Sequence, residues 1–213
     1  MPSTITTQLR RIRVSLWILV AAAVLALGGT FLVRTVGVRE PPPVTVGEAA
    51  IRSEFSLMDH NGNRVTGADF LGRWQFVFFG FTHCPDVCPT TLAYMANVLD
   101  RLGGEIERVA PIFITVDPSR DTPQVMAEYV QAFHPKLIGL TGTEAEVAAA
   151  ARSFRVYYEK MEEETAPDGY LMAHAGHIYV MTPEGGFEDV FREGDQSAEE
   201  MATDVLASMS GKQ

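Results

Sequence analysis

The sequence of 213 residues is acidic, with 27 Asp and Glu side chains against 17 Lys and Arg and a formal net charge of −10. Residues 1–40 carry a net charge of +4, so subtracting this from −10 leaves −14 for residues 41–213. Because nucleic-acid-binding domains are basic, an acidic domain of this kind argues against a nucleic-acid partner. Without its N-terminal segment the chain has about 160 residues, which is the size of one domain.

An apolar segment lies close to the N-terminus. Residues 14–33 contain no charged side chain, and 20 residues are enough to cross a hydrocarbon core of about 30 Å as a helix. Three arginines precede this segment and two follow it, which predicts a cytoplasmic N-terminus. A cleaved signal peptide is the alternative, but its apolar region usually has only about 7–15 residues. We therefore expect an uncleaved anchor that leaves the rest of the chain outside the cytoplasm.

The predicted organisation has four parts. Residues 1–13 form a cytoplasmic N-terminus, residues 14–33 a transmembrane anchor, residues 34–50 a linker and residues 51–210 a folded domain. Three consecutive prolines at 41–43 are typical of a stiff spacer, which would hold the domain away from the membrane.

The domain opens with a predicted hairpin and continues into a buried strand. Asn61-Gly62 between two short runs is a strong hairpin signal. The uncharged run Phe76–Phe79 then predicts a strand that is buried on both faces. It leads to the only two cysteines of the sequence, Cys84 and Cys88, and a helical pattern follows from Pro89. We expect both thiols to lie between the strand and the helix, where open N–H groups and the helix dipole stabilise a thiolate.

Three chemistries are open to this cysteine pair: a structural disulfide, a redox-cycling dithiol, or two thiolate ligands for a soft metal. Three residues separate the cysteines, whereas thioredoxin-like redox motifs have two. The longer loop still allows a disulfide, and it also leaves room for an ion between the sulfurs. Two thiolates favour Cu(I), Zn or an iron–sulfur centre, and a third ligand would help to decide.

Alternating strand and helix patterns fill the rest of the domain, which predicts one α/β fold. A strand is predicted at 109–116, followed by a helix from Pro123 that Asp121 or Thr122 caps, and by an extended segment at 137–140. A helix from Thr143 to about Phe154 follows, with a capping box between Thr143 and Glu146, and then an extended segment from Val156 and an exposed loop around 162–169. The last predicted elements are a strand at 178–181 with a hairpin partner at 187–191, and a helix capped by Ser197.

Three of the five histidines are candidates for a third ligand. His83 adjoins Cys84, where it could bind a metal or tune the thiols. His174 and His177 precede a predicted strand, and a histidine there is more often a packing residue. The other two lie at a turn and at a helix end, and Met172 and Met181 are interpreted as packing residues. These residues alone do not choose between the candidates.

The block GFTHCPDVCP at residues 80–89, with VDPSRDTP and FHPKLIGLTGT further along, resembles the Sco/SenC family of thioredoxin-fold copper chaperones for cytochrome c oxidase assembly. The resemblance covers most of residues 45–205, and the cysteine block is highly specific to the family. It implies a thioredoxin-like domain with a central mixed sheet flanked by helices. It also implies that Cys84 and Cys88 are copper ligands.

The resemblance further implies which histidine binds copper. The family has this ligand nine residues before the proline of a Pro-Asp/Glu-Gly turn, which here is Pro183-Glu184-Gly185, so the implied ligand is His174. The family usually has an aspartate immediately before the histidine, where this sequence has Ala173. Asp86, within the cysteine loop, also matches the family pattern and is expected to shape the loop.

The function implied by the resemblance is a membrane-anchored copper metallochaperone. It would bind Cu(I) and/or Cu(II) and assist maturation of the copper-A centre in cytochrome c oxidase subunit II, with another periplasmic copper carrier as a second partner. The alternative is a thiol–disulfide oxidoreductase that keeps the cysteines of that subunit, or of another periplasmic protein, reduced. A peroxide-reducing enzyme ranks last because no specific motif supports it.

The expected location is a bacterial inner membrane, with a single span and the C-terminal domain in the periplasm. The 13 residues before the span are fewer than a typical mitochondrial transit peptide requires.

Overall fold

The computed structural model describes Trp17 and residues 51–211. In this part of the chain, nine strands and four α-helices follow one another in the alternating pattern that the sequence predicts. They are β1 (Ser56–Asp59), β2 (Arg64–Thr66), β3 (Trp74–Gly80), α1 (Val87–Arg101), β4 (Val109–Thr115), α2 (Pro123–Gln131), β5 (Ile138–Thr141), α3 (Glu144–Ser153), β6 (Tyr158–Glu162), β7 (Tyr170–His174), β8 (His177–Met181), β9 (Phe187–Arg192) and α4 (Ala198–Gly211).

Seven of these strands form one mixed sheet, in the order β2-β1-β5-β4-β3-β8-β9. The central strands β3, β4 and β5 are parallel, whereas β8 runs antiparallel to β3 and β1 runs antiparallel to β5. Helix α2 packs on β5, α3 packs against β1, and α1 packs against α4. The predicted central mixed sheet with flanking helices is therefore confirmed.

The two central strands are the most deeply buried part of the fold. All seven residues of β3 and all seven of β4 are buried, and the two strands pair in parallel from Trp74↔Val109 to Gly80↔Thr115. This explains why both sequences are almost wholly apolar, with Gln75 and Thr115 as their polar residues, since strands in the middle of an α/β sheet have no solvent-exposed face. The carboxyl end of β3 is the point from which the cysteine loop leaves the sheet.

The predicted helix starts agree with the structure in three cases, one of which is α4, where Ser197 accepts a hydrogen bond from the Glu200 N–H at 3.2 Å. The Thr122 side chain accepts a hydrogen bond from the Val125 N–H, with Pro123 in the first turn of α2. Thr143 and Glu146 form the expected capping box of α3. Helix α1 differs, because it begins at Val87 and so includes Cys88, which was expected just before the helix.

Both predicted hairpins are present. Strands β1 and β2 pair in antiparallel register around the Asn61-Gly62 turn, where Gly62 has a φ of +87° that favours glycine. Strands β8 and β9 pair across the turn that contains Gly185. The N-terminal hairpin of the predicted fold is thus confirmed.

One strand has no counterpart among the predicted elements. The sequence pattern predicts an extended segment from Val156 but no strand at residues 170–174. In the structure, β6 and β7 pair in antiparallel register as a separate two-stranded sheet, in which Tyr158 lies opposite His174. This small sheet, called the β6–β7 hairpin below, carries the predicted histidine ligand.

The predicted anchor at 14–33 lies outside the described residues, apart from Trp17, which is helical. None of the helices in the described part of the chain is long and apolar enough to cross a membrane. The boundaries at residues 13, 33 and 50 lie outside that part as well, and they stay predictions.

Candidate metal centre

The two cysteines lie where the central strand passes into the first helix. Cys84 is in the loop after β3 and is half-buried, whereas Cys88 is in the first turn of α1 and is buried. The Phe81 N–H donates to the sulfur of Cys88 at 3.4 Å, and the Cys88 N–H donates to the sulfur of Cys84 at 3.4 Å. Each sulfur therefore receives a backbone hydrogen bond, as the position between strand and helix predicted.

His174 joins this pair from the end of β7. Its Nε2 lies 3.2 Å from the sulfur of Cys88. The Cys84 and Cys88 sulfurs and a ring nitrogen of His174 all lie within 4.8 Å of one another. The structure therefore brings the three predicted ligands together, although His174 is 86 residues from Cys88 in the sequence.

Two glycines allow this close approach. A Cβ atom on Gly80 would lie 2.6 Å from the Cys88 sulfur and 2.9 Å from the Phe113 ring. A Cβ atom on Gly176 would lie 2.8 Å from a methyl carbon of Val87 at the start of α1. Any side chain at either position would push apart groups that form or border the cluster.

The imidazole of His174 is oriented by aromatic rings and by the backbone. Its ring lies 5.6 Å from the Phe81 ring at 88° and 6.1 Å from the Phe78 ring at 61°. Its Nδ1 lies 3.2 Å from the Ala175 carbonyl oxygen. Because a carbonyl only accepts, Nδ1 carries the proton in this contact, and Nε2 presents its lone pair to the Cys88 sulfur.

The two thiols have different electrostatic environments. The contact with Cys88, together with those with His174 and backbone N–H groups, lowers the pKa of Cys84 to about 4. Burial raises the pKa of Cys88, and the neighbouring Cys84 sulfur adds to this effect. The metal-free pair therefore holds one accessible thiolate at Cys84 and one buried protonated thiol at Cys88.

The buried carboxyl of Asp121, one of the two residues predicted to cap α2, supports the cysteine loop. Asp121 is fully buried, and it accepts hydrogen bonds from the Thr82 N–H at 3.1 Å and the Thr82 hydroxyl at 2.6 Å. The Thr115 hydroxyl at the end of β4 also donates to it. Burial raises the pKa of Asp121. Thr122 caps α2 instead, so the function of Asp121 is to fix Thr82, two residues before Cys84.

The other two candidate histidines, His83 and His177, lie outside the cluster. His83 Nδ1 contacts the Thr82 hydroxyl at 3.0 Å and lies 3.9 Å from an Asp121 oxygen. His177 begins β8, and its ring packs against Tyr179. His60 accepts a hydrogen bond from the Gly139 N–H, which is a structural function.

The remaining residues singled out in the sequence have structural positions. Met181 is buried in the core, and Met172 is partly buried and packs against the core. Asp86 precedes α1 as its N-cap residue, and its carbonyl accepts a hydrogen bond from the Thr90 hydroxyl. Ala173, which replaces the family aspartate, pairs with Glu159 in the β6–β7 hairpin.

A model of the SCO1/SenC family matches residues 44–210. The chain belongs to this family. It is 47% identical over 155 residues to Protein SCO1 homolog 1, mitochondrial, of Arabidopsis thaliana, a match that covers 72% of this chain and 45% of that protein. It is 45% identical over 149 residues to Protein sco1 of Schizosaccharomyces pombe, covering 69% of this chain and 57% of that protein. This Sco-family chain thus spans about half the length of the curated relatives it matches.

A solved structure of a family member supports the same assignment. The crystal structure of Arabidopsis thaliana ScoI with copper bound is 42% identical, with a TM-score of 0.71, and the match covers 76% of this chain and 99% of that one. The fold of this Sco-family protein is accordingly the predicted thioredoxin-like α/β fold with a mixed central sheet.

Proposed function

We propose that this Sco-family protein is a copper metallochaperone that binds one copper ion through Cys84, Cys88 and His174. The observation that carries the proposal is the approach of two sulfurs and one imidazole nitrogen to within 4.8 Å of one another. Two thiolates with one imidazole suit Cu(I), and they can hold Cu(II) with an added ligand. Structural zinc is less favoured, because such sites are normally closed by four protein ligands.

The surroundings of the cluster suit an ion that is delivered rather than retained. Cys88 is buried, whereas Cys84 and His174 are only half-buried. His174 also lines an open hollow with neighbours that include Tyr157, Ala173 and His177. A ligand from a partner protein could therefore reach the ion from the side of His174, while Cys88 stays in the core.

We propose that the recipient is the copper-A centre in subunit II of cytochrome c oxidase, with another periplasmic copper carrier as a second partner. The resemblance of the cysteine block to the copper chaperones for this oxidase supports this assignment. The proposal includes an N-terminal anchor at residues 14–33 in a bacterial inner membrane and the domain in the periplasm. The uncharged segment and its flanking arginines support the anchor.

A second function, thiol–disulfide exchange, is favoured by the difference between the two thiols. An accessible cysteine with a pKa near 4 beside a buried cysteine with a raised pKa is an arrangement that can form and release a disulfide. Such a reductase would act on the cysteines of subunit II or of another periplasmic protein. It would need the dithiol but would not need His174 as a ligand.

Copper stoichiometry tests the first function against the second. The full chain, purified in detergent and reduced, is loaded anaerobically with Cu(I), exposed to a competing chelator and measured by elemental analysis. We expect one copper per chain in the wild type, none in the Cys84→Ser/Cys88→Ser variant, and a severe loss of affinity in His174→Ala. A wild type that keeps no copper would exclude the metallochaperone. Disulfide reductase turnover that survives in His174→Ala would then support the second function.

A further inference from the structure

His174 ends a hairpin that is not hydrogen-bonded into the main sheet. The β6–β7 hairpin is a two-stranded sheet of its own, and such a hairpin is marginally stable in water without further packing. In its two strands, all of whose residues are described, Tyr170 is the one buried residue, while Tyr158, Leu171 and Met172 are partly buried against the core. Tyr170 begins the strand that ends in His174, so the contacts of Tyr170 help to fix that strand.

Tyr170 is held by its ring and by its hydroxyl. The guanidinium of Arg120 lies 3.8 Å from the centre of the Tyr170 ring, and the ammonium of Lys160 lies 3.7 Å from it. The Tyr170 hydroxyl donates to the Asp117 carboxylate at 3.1 Å. Arg120 donates to the same carboxylate at 2.5 Å, and only 3% of the Asp117 side chain is exposed. A buried carboxylate with these partners fixes the tyrosine in one place.

The same arginine is connected to the imidazole by a second route. The guanidinium of Arg120 lies 5.8 Å from the centre of the Phe81 ring, and Phe81 packs edge-on against His174. Along β7, side chains alternate between faces, so Tyr170 and His174 project from the same face of the strand. The turn after β4, which contains Asp117 and Arg120, is therefore connected to His174 in two ways: through Tyr170 on β7 and through the Phe81 ring.

We propose that Asp117, Arg120 and Tyr170 form a clamp that positions His174 beside the two thiols. This inference rests on the proposed function, because it assigns the clamp to the metal centre. The three residues are positioning residues and do not touch the ion. The cysteine loop has a separate support in Asp121, so loss of the clamp displaces the imidazole and leaves the dithiol in place.

A double-mutant cycle on the full chain tests the clamp. Tyr170→Phe keeps the ring and removes the hydroxyl bond to Asp117. We expect its Cu(I) affinity, measured by chelator competition, to be about tenfold weaker than that of the wild type, since a hydrogen bond to a charged group is lost. In the His174→Ala background the same substitution should change the affinity very little, because the ligand it positions is already absent.

Tyr94→Phe is the matched control. Tyr94 is 9% exposed and Tyr170 is 8% exposed, and the hydroxyl of Tyr94 contacts the Ser197 carbonyl oxygen at 3.5 Å, at the start of α4. This variant also loses one tyrosine hydroxyl from a buried position, but it leaves the β6–β7 hairpin unchanged. Its Cu(I) affinity should equal that of the wild type.

A second readout uses the metal-free protein. Amide hydrogen exchange in residues 158–162 and 170–174 should be faster in Tyr170→Phe than in the wild type. Wild-type exchange and wild-type copper affinity in this variant would refute the clamp and leave the metallochaperone standing. An equal loss of affinity in the His174→Ala background would also refute it, because the effect would not act through His174. If the wild type binds no copper, the proposed function fails. In that case, hydrogen exchange that is unchanged in Tyr170→Phe would separately refute the clamp.

Discussion

The sulfur of Cys88 is confined from several directions by single residues. The Phe81 N–H and the His174 Nε2 contact it at 3.4 Å and 3.2 Å. There is no space for a side chain at Gly80, because a Cβ atom at that position would lie 2.6 Å from the Cys88 sulfur. Such a contact is shorter than non-bonded atoms tolerate, so the sulfur would have to move.

Gly80→Ala should therefore disturb the metal centre and the core together. Its Cβ would also meet the Phe113 ring at 2.9 Å, in a region where β3 and β4 are wholly buried. We expect a loss of about 1–3 kcal/mol in the free energy of unfolding, the usual cost of overpacking, and weaker Cu(I) binding. Urea unfolding and chelator competition measure the two effects.

Gly104→Ala is the control for this substitution, because a Cβ atom on Gly104 meets no other atom within 4 Å. It should leave both measurements at their wild-type values. If Gly80→Ala binds Cu(I) as tightly as the wild type, the position of the Cys88 sulfur is less constrained than its contacts indicate.

At the scale of elements, the parts that the sequence predicts are those with a local signal. The buried strands have continuous apolar runs, and α2 and α3 begin at caps that can be recognised within four residues. The β6–β7 hairpin has no such signal. Strand β6 is mostly exposed and contains Glu159, Lys160 and Glu162, so it shows no apolar alternation.

The sequence also has no local signal that selects His174 as the third member of the cluster. The sequence places both His174 and His177 before a strand, and only the pairing and docking of the β6–β7 hairpin bring one of them to Cys88. The family resemblance supplied this choice, because the residues alone do not encode the distance. The support of the cysteine loop by Asp121 is also non-local, so the sequence predicts only that Asp121 or Thr122 caps α2.

Helix α3 provides a prediction about pH. Glu146 accepts hydrogen bonds from the Arg64 guanidinium at 2.7 Å and from the Thr143 N–H at 2.8 Å. The Arg64 contact, with those of Thr143, lowers the pKa of Glu146 to about 2. A lowered pKa in the folded state means that the carboxylate stabilises the fold above its ordinary pKa, and that this contribution is lost as the pH falls through the folded value.

Glu146→Gln should therefore be less stable than the wild type at pH 7, and the difference should shrink as the pH falls from about 4.5 towards 2. Urea midpoints across this range measure it. Glu144→Gln, in the same first turn but outside the capping box, should show a smaller difference at pH 7. A Glu146→Gln deficit that stays constant down to pH 2 would contradict the proposed ion pair.

On the scale of the whole molecule, the chain separates its charges along its length. Residues 1–40 carry +4 and residues 41–213 carry −14. Arginines before an apolar segment favour the cytoplasmic side, and the acidic domain after the proline spacer would then lie on the opposite side. In that compartment thiols tend to oxidise, so delivery of copper would require the cysteine pair to be kept reduced.

Labelling of Cys84 tests this topology in living cells. Cys84 is half-buried and has a pKa of about 4, so it is a thiolate at neutral pH, whereas Cys88 is buried. In reduced bacterial cells with a permeabilised outer membrane, a maleimide that cannot cross the inner membrane should label the full chain. Cys84→Ser should lose the label although it keeps Cys88. Labelling that appears only after the inner membrane is broken would place the domain in the cytoplasm, and it would contradict both the predicted orientation and delivery of copper to a periplasmic partner.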